Sequence, residues 1–163
     1  MSKVYLLLGG NIGDKQQVFA QATSSLGERV GKITGRSAIY ETEPWGFESN
    51  DLFWNQVLEL EVDIPARKVL EMTMDIEHQM GRIRKINQYD SRVIDIDILF
   101  YDDKIIEMPE LVIPHPRIQE RKFVLVPLDE LVPDMIHPVL HKSIHQLLEA
   151  CKDELRVERV KDL

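Results

Sequence analysis

Two carboxylates, Asp95 and Asp97, alternate with isoleucines in the run Arg92–Phe100. Side chains of a β-strand point alternately to its two faces, so these carboxylates share one face, about 6–7 Å apart along the strand. Like charges beside an apolar face need compensation, and a divalent cation with oxygen ligands, such as Mg²⁺, is the usual one. The pattern favours a magnesium site. An amphipathic strand whose solvent face is acidic remains the alternative.

A basic segment lies directly before this strand. The window 81–92 holds four basic side chains against a single acid, although the whole chain has a net charge of −8. Arginine forks bind phosphate oxygens, while carboxylates hold the accompanying metal. Segment and strand together favour a site for the phosphates of a magnesium-bound nucleotide; a solvated run of charges is the alternative for the segment alone. The basic residues are Arg82, Arg84, Lys85 and Arg92.

The composition is that of an ordinary globular domain. The chain has 163 residues, of which 44% are hydrophobic and 29% charged, so we expect one domain over residues 1–163. The lone Cys151 excludes an internal disulfide and a cysteine-based zinc cluster. No apolar run reaches the roughly 20 residues of a membrane span, and no signal-peptide pattern follows Met1, so we expect a cytoplasmic protein. The acidic balance argues against broad nucleic-acid binding.

The elements that must position these residues follow in the order strand–helix–strand–strand–helix–strand. This order predicts an antiparallel sheet with helices on one face, a ferredoxin-like α+β sandwich with a βαββαβ core and extra C-terminal helices. Asp14 is a candidate helix cap, Pro65 a first-turn proline and Gly81 a helix stop. The predicted strands cover 3–8, 33–40, 53–62 and the Asp95 run; helices cover 15–29, 65–80, 121–127 and 143–150; 9–14 is a turn, 41–51 a loop and 156–160 an edge strand.

Other candidate site residues are scattered along the chain. A flat heterocyclic ring needs apolar faces and hydrogen bonds at its edges. Aromatic residues at 45, 53 and 123 are candidates for the faces, and Thr42 and Asn55 for the edges, although each aromatic alone is more typical of a core position. His115 and Arg121 are candidates to reach a nucleotide, with a structural role left open. The aromatic residues are Trp45, Phe53 and Phe123.

Taken in order, these segments resemble the 6-hydroxymethyl-7,8-dihydropterin pyrophosphokinase family. The resemblance runs to about Leu148, and its most specific piece is Arg-x-x-Asp-x-Asp at 92–97. The segments that carry it are Leu8–Asp14, Tyr40–Gly46, Phe53–Gln56, Ile76-Glu77 with Gly81-Arg82, Arg92–Leu99, Pro114–Arg117 and Arg121–Leu125.

The resemblance implies an enzyme of folate biosynthesis that moves the β,γ-pyrophosphoryl group of ATP to the pterin hydroxymethyl oxygen, releasing AMP. Asp95 and Asp97 would hold two Mg²⁺ ions, and Asp95 would also meet the pterin. Arg82 and Arg92 would bind the triphosphate and neutralise charge during transfer. The ATP site would be lined by Glu77, Arg84, Ile98, His115 and Arg121, and the pterin site by Thr42, Trp45, Gly46, Phe53, Asn55 and Phe123.

The chain departs from the family pattern at several positions without losing a metal ligand or either principal arginine. Asp90-Ser91 stands where the family commonly has Gly-Pro, and Gly10 where serine is usual. Met74 and Glu110 replace a glutamine and a basic residue of some members. Two alternatives stay open: an ordinary kinase that transfers only the γ-phosphoryl group, and a non-catalytic ferredoxin-like module that binds a metabolite.

Overall fold

A six-stranded antiparallel sheet is the centre of the computed structural model, which describes residues 1–43, 52–81 and 93–161. Its strands lie in the order β5-β1-β4-β3-β8, and β2 also pairs with β4 beside β3. All pairings are antiparallel. The strands are β1 (Ser2–Gly10), β2 (Lys32–Arg36), β3 (Tyr40–Thr42), β4 (Phe53–Val62), β5 (Asp95–Tyr101) and β8 (Val157–Arg159); β6 (Ile106–Met108) and β7 (Leu111–Ile113) form a separate hairpin.

Four helices cover the sheet in the described part of the chain, and their ends follow from local chemistry. The Asp14 carboxylate accepts from the Gln17 N–H and caps the first helix. Pro65 precedes the second, and Gly81, with φ of +105°, stands just past its end. Ser143 and Gln146 form a capping box on the fourth. The helices are α1 (Lys15–Arg29), α2 (Ala66–Gln79), α3 (Lys122–Leu131) and α4 (Ile144–Ala150), with a 3-10 turn at Ile118–Glu120.

The two faces of the sheet carry separate cores. Alternate residues of β1, such as Leu6 and Leu8, pack under α1 and α2, as expected for the first two helices. The intervening residues, Tyr5 and Leu7, pack under α3 and α4 on the opposite face. Because Asp95 and Asp97 alternate with the isoleucines buried beneath α1 and α2, they lie on the α3 face.

Four expectations at element boundaries were wrong. The run predicted as one strand over 33–40 divides into β2 and β3, because Val57 N–H donates to the Ser37 hydroxyl at 3.0 Å instead of to a carbonyl of an unbroken ladder. The predicted loop begins too early, since β3 reaches Thr42, and the predicted turn at 9–14 is shorter, since β1 continues to Gly10. The helix predicted to end at Pro127 continues to Leu131, anchored by buried apolar residues on both sides of the proline.

None of the helices in the described ranges has the length and apolar character needed to cross a bilayer.

Candidate functional site

A cavity of about 260 Å³ lies between the sheet and the start of α3, on the face that carries the two aspartates. Its floor comes from β1, β4 and β5, one side from β3, and its wall from α3 and the C-terminal segment. It brings together seven of the predicted site residues from four parts of the sequence. The lining residues are Leu7, Gly9, Thr42, Glu43, Phe53, Asn55, Asp95, Asp97, Arg121, Phe123 and Leu155.

Gly9 organises the floor of this cavity. In the central strand β1 it lies directly opposite Asn55 of β4 on one side and Asp95 of β5 on the other. Neighbouring strands are about 4.8 Å apart, so the two polar residues lie about 10 Å apart across the glycine. A Cβ atom at Gly9 would stand 3.2 Å from Asn55 Oδ1. The missing side chain therefore leaves room for a ligand between amide and carboxylate.

Aromatic rings and a hydroxyl form the other surfaces. Thr42 lies opposite Phe53 in the β3–β4 pair and is 4% exposed, so its hydroxyl sits beside an apolar wall. Phe123, in the first turn of α3, supplies a second ring, and the Arg121 guanidinium lies 5.7 Å from its centre. Two rings with polar groups at the edges suit a flat heterocycle that needs both stacking and hydrogen bonds.

The carboxylates of Asp95 and Asp97 both reach this cavity and are half-buried. They form an oxygen-only donor pair, which suits a hard cation such as Mg²⁺. Among residues 1–43, 52–81 and 93–161, no cluster of three or more His, Cys, Asp or Glu side chains could hold a metal ion. A pair of carboxylates fits a hard cation that completes its coordination with phosphate oxygens and water.

Residues predicted for the nucleotide lie along the outer edge of β5. Glu77 Oε2 accepts from the Ile96 N–H at 2.8 Å, and the His115 N–H donates to the Leu99 carbonyl at 3.0 Å. Ile98 does not line the cavity: its side chain is 6% exposed and packs beneath α1 and α2. Only its backbone is available to a ligand at the strand edge.

The charge environment of His115 links this edge to the cavity. Burial lowers the pKa of His115; Asp97 acts to raise it, and Arg121 and Arg117 lower it again, so the net shift is downward. His115 lines a neighbouring hollow with Pro114 and Pro116 rather than the cavity itself. It is a mainly neutral side chain within electrostatic range of one aspartate and one arginine of the site.

Five predicted site residues lie outside the described residues: Trp45, Gly46, Arg82, Arg84 and Arg92. The departures Asp90 and Ser91 lie there too. Two other departures are visible at the surface. Met74 is exposed on α2, and Glu110 forms an exposed ion pair with Arg67 at 3.6 Å.

Sequence reasoning missed four lining residues: Leu7, Gly9, Glu43 and Leu155. The pairing of Gly9 with both Asn55 and Asp95 depends on strand order, which the pattern of one strand does not contain. A strand was predicted over 156–160, and its pairing with β3 is what brings the preceding Leu155 to the cavity. Glu43 directly follows β3. Once β3 is known to include Thr42, the place of Glu43 at the cavity could also be predicted.

The sequence matches the family of 7,8-dihydro-6-hydroxymethylpterin-pyrophosphokinase (HPPK) over residues 5–133. The 2-amino-4-hydroxy-6-hydroxymethyldihydropteridine pyrophosphokinase of Porphyromonas gingivalis is 42% identical over 141 residues, which are 85% of this chain and 95% of that protein. The enzyme of the same name from Bacillus subtilis is 39% identical over 128 residues, 78% of this chain and 76% of the relative. A longer relative, the folic acid synthesis protein FOL1 of Dictyostelium discoideum, is 38% identical over 144 residues, 88% of this chain and 22% of its own.

Solved structures agree on the fold. The wild-type HPPK-DHPS of Plasmodium falciparum with pteroate has a TM-score of 0.74 at 19% sequence identity. The match covers 91% of this chain and 42% of that one, so this chain spans less than half of that structure. At this identity the likeness concerns the mixed α/β fold with its antiparallel sheet.

Proposed function

This chain belongs to the 7,8-dihydro-6-hydroxymethylpterin-pyrophosphokinase family, and we propose that the cavity between the sheet and α3 is its active site. The reaction is transfer of pyrophosphate from ATP to 6-hydroxymethyl-7,8-dihydropterin in folate synthesis. The hydroxymethyl oxygen forms a bond to the β-phosphorus of ATP. The bond between that phosphorus and the oxygen that bridges to the α-phosphate breaks. AMP leaves, the hydroxyl proton is lost, and the pterin carries the diphosphate.

The proposed location of the active site rests on one observation: two carboxylates and two aromatic rings line the same cavity. The pterin would stack between Phe53 and Phe123, with Thr42 and Asn55 at its edges. Its hydroxymethyl group would then point toward Asp95, across the gap left by Gly9. Holding the acceptor oxygen in this way removes much of the entropic barrier to transfer.

The ATP would lie along the β5 edge, next to the pterin. Glu77, His115, Arg121 and the Ile98 backbone border this edge or its approach to the cavity. The guanidinium of Arg121 suits phosphate oxygens, since it offers a planar fork of donors. Arg82, Arg84 and Arg92 would add positive charge around the triphosphate, and Trp45 and Gly46 would contact the pterin edge.

Asp95 and Asp97 would hold Mg²⁺, and the resemblance to the family implies two ions. The metal would neutralise charge on the phosphate oxygens. The protein's own part is to fix both carboxylates on one strand face and to shield the acceptor from water. Asp95 is the nearest candidate to receive the hydroxyl proton. Positioning matters more than base strength here, because phosphoryl-type transfer proceeds mainly through alignment and charge stabilisation.

The extent of the domain, its fold, its location and its partners belong to the same proposal. We infer one catalytic domain over residues 1–163, with the strand order β5-β1-β4-β2 as the basis for a ferredoxin-like core. α3 and α4 are the extra C-terminal helices of this arrangement. We place the enzyme in the cytoplasm and propose neither a nucleic-acid nor a membrane partner. The net charge of −8 argues against broad nucleic-acid binding.

Phosphorus NMR of the protein with ATP, Mg²⁺ and 6-hydroxymethyl-7,8-dihydropterin tests the function. We expect AMP and a pterin diphosphate in equal amounts. ADP with a pterin monophosphate would replace the reaction by ordinary kinase chemistry. Binding of both substrates without any product would favour the non-catalytic module.

A Phe123→Ala variant, which loses one stacking wall, should raise KM for the pterin more than KM for ATP if the cavity is the active site.

A further inference from the structure

We propose that the C-terminal segment, residues 151–160, is the third wall of the pterin site, with Leu155 as a pterin-contact residue and Asp153 as the residue that positions this wall. The inference rests on the proposed function, because it names what the wall contacts. It concerns a part of the chain that lies beyond the family match, which ends at residue 133.

Leu155 is the one residue of this segment that lines the cavity among the described residues. It is half-buried and joins Phe53 and Phe123 as an apolar surface, while most of the polar groups come from the sheet. A ring held only by Phe53 and Phe123 would leave this third side to water. An apolar side chain there excludes water from the ligand, and apolar contact of this size changes affinity measurably.

Asp153 ties the segment to the start of α3. Its Oδ2 accepts from the Lys122 N–H at 3.1 Å, and its Oδ1 accepts from the Leu155 N–H at 2.9 Å. The first N–H groups of a helix lack partners within the helix, and Arg121 at the N-cap position makes no side-chain cap bond. A carboxylate also interacts favourably with the positive end of the helix. One side chain thus fixes Leu155 relative to Arg121 and Phe123, which flank Lys122.

The far end of the segment is tied to the opposite side of the cavity. Val157 of β8 lies opposite Thr42 of β3, and the Val160 N–H donates to the Ile39 carbonyl at 2.8 Å. The segment therefore bridges α3, which carries Phe123, and β3, which carries Thr42. Leu155 lies between these two attachments, so its position is set from both ends.

The test compares Leu155→Ala with Leu148→Ala in the full-length protein. Leu148 packs against the α3–α4 core and does not line the cavity, so it controls for loss of apolar packing in the same region. Pterin binding is measured by fluorescence titration with a non-hydrolysable ATP analogue, and the affinity of the analogue is measured separately. We expect Leu155→Ala to raise the Kd of the pterin about tenfold, the scale of lost apolar contacts in a binding pocket. The analogue's Kd should stay within about twofold, and Leu148→Ala should change neither.

Asp153 is tested by Asp153→Ala and Asp153→Asn. The asparagine keeps an acceptor oxygen for one of the two N–H groups, so pterin Kd should rise in the order wild type, Asp153→Asn, Asp153→Ala. Circular dichroism at the assay temperature shows that each variant is folded. Folded Leu155→Ala with unchanged pterin affinity overturns the inference alone. Wild-type protein that binds no pterin overturns the proposed function together with the inference. An equal rise in the pterin Kd for Leu155→Ala and Leu148→Ala overturns the proposed contact of Leu155 with the pterin and leaves Leu155 only a packing role.

Discussion

The carboxylate of Glu77, on α2, accepts a hydrogen bond from the backbone N–H of Ile96, on β5, at 2.8 Å. Ile96 lies between Asp95 and Asp97 and buries its own side chain on the opposite face of the sheet. Within residues 1–43, 52–81 and 93–161, β5 pairs in the main sheet with β1 alone, so this N–H faces the outer edge. Glu77 therefore holds the backbone that separates the two site carboxylates, although it does not line the cavity itself.

Replacing Glu77 tests this backbone role. Glu77→Leu removes the acceptor and leaves a partly buried N–H without it, which should lower the free energy of unfolding by about 1–3 kcal/mol. Glu77→Gln keeps an acceptor oxygen and should retain most of the stability. Urea denaturation gives the stabilities, and kcat with KM for ATP gives the functional effect. If glutamine loses as much kcat as leucine while remaining stable, the charge of Glu77 acts on the nucleotide and the backbone role is secondary.

The two glycines at the end of β1 should respond differently to an added methyl group. At Gly9 a Cβ would stand 3.2 Å from the Asn55 side-chain oxygen, which can turn aside. At Gly10 a Cβ would stand 2.7 Å from the backbone oxygen of Val93, which cannot turn aside without shifting the chain before β5. We expect Gly9→Ala to raise KM for the pterin several-fold with little change in stability. Gly10→Ala should lower stability by about 1–3 kcal/mol through overpacking.

Thermal unfolding and pterin saturation curves of both variants check this contrast. Each glycine serves as the control for the other, because the substitutions are identical and adjacent in sequence. A Gly9→Ala enzyme with unchanged KM for the pterin would mean that the ligand does not use the space between Asn55 and Asp95. The serine that is usual in the family at position 10 would meet the same carbonyl here, so Gly10→Ser should also be destabilising.

Sequence reasoning recovered what depends on local pattern. The alternation at Asp95 and Asp97 placed them on one face, and Asp14 and Gly81 marked helix ends correctly. Pro65, predicted in the first turn, is the N-cap residue directly before α2. It could not recover relations set by pairing between distant strands. The position of Gly9 between Asn55 and Asp95 requires the order of strands in the sheet, and the position of Leu155 at the cavity requires the β8–β3 pairing.

Single side chains that replace backbone bonds were the other source of error. Ser37 interrupts the β2–β3 run because its hydroxyl accepts from Val57 N–H. Nothing in the residue pattern around Ser37 distinguishes this use of a serine from a surface serine in a continuous strand. The same holds for Asp153, whose two acceptor bonds depend on where α3 begins relative to the C-terminal segment.

The Tyr5–Glu59 pair predicts a dependence of stability on pH. Burial acts to raise the pKa of Glu59, but hydrogen bonds from Tyr5 at 2.7 Å and Thr34 at 2.8 Å, with the charge of Lys3, outweigh it, so the pKa is lowered. A lowered folded-state pKa contributes stability above the unfolded pKa, and that contribution is lost as pH falls through the folded value. Tyr5→Phe should therefore cost about 1 kcal/mol at neutral pH and progressively less in acid.

Urea denaturation of wild type and Tyr5→Phe at several values from pH 7 down to pH 3 gives this difference directly. The two proteins should converge as Glu59 becomes protonated. A constant difference across the range would mean that phenylalanine changes packing against Phe100, whose ring lies 6.3 Å from that of Tyr5, rather than the ionisation of Glu59.

Asp97 is expected to be essential for turnover and dispensable for folding. Its carboxylate lines the cavity beside that of Asp95, where the proposed Mg²⁺ would balance phosphate charge. Asp97→Ala should lower kcat by at least about a hundredfold, the scale on which removing one transition-state stabilising group acts. The circular dichroism spectrum should stay that of the wild type. Asp103→Ala, a substitution of an exposed acid just after β5, should leave kcat unchanged.

Chelation with EDTA should abolish wild-type turnover, and added Mg²⁺ should restore it. Near-normal turnover by folded Asp97→Ala, or turnover that survives EDTA, would remove the metal from the mechanism and leave the arginines as the groups that stabilise the transferred phosphates.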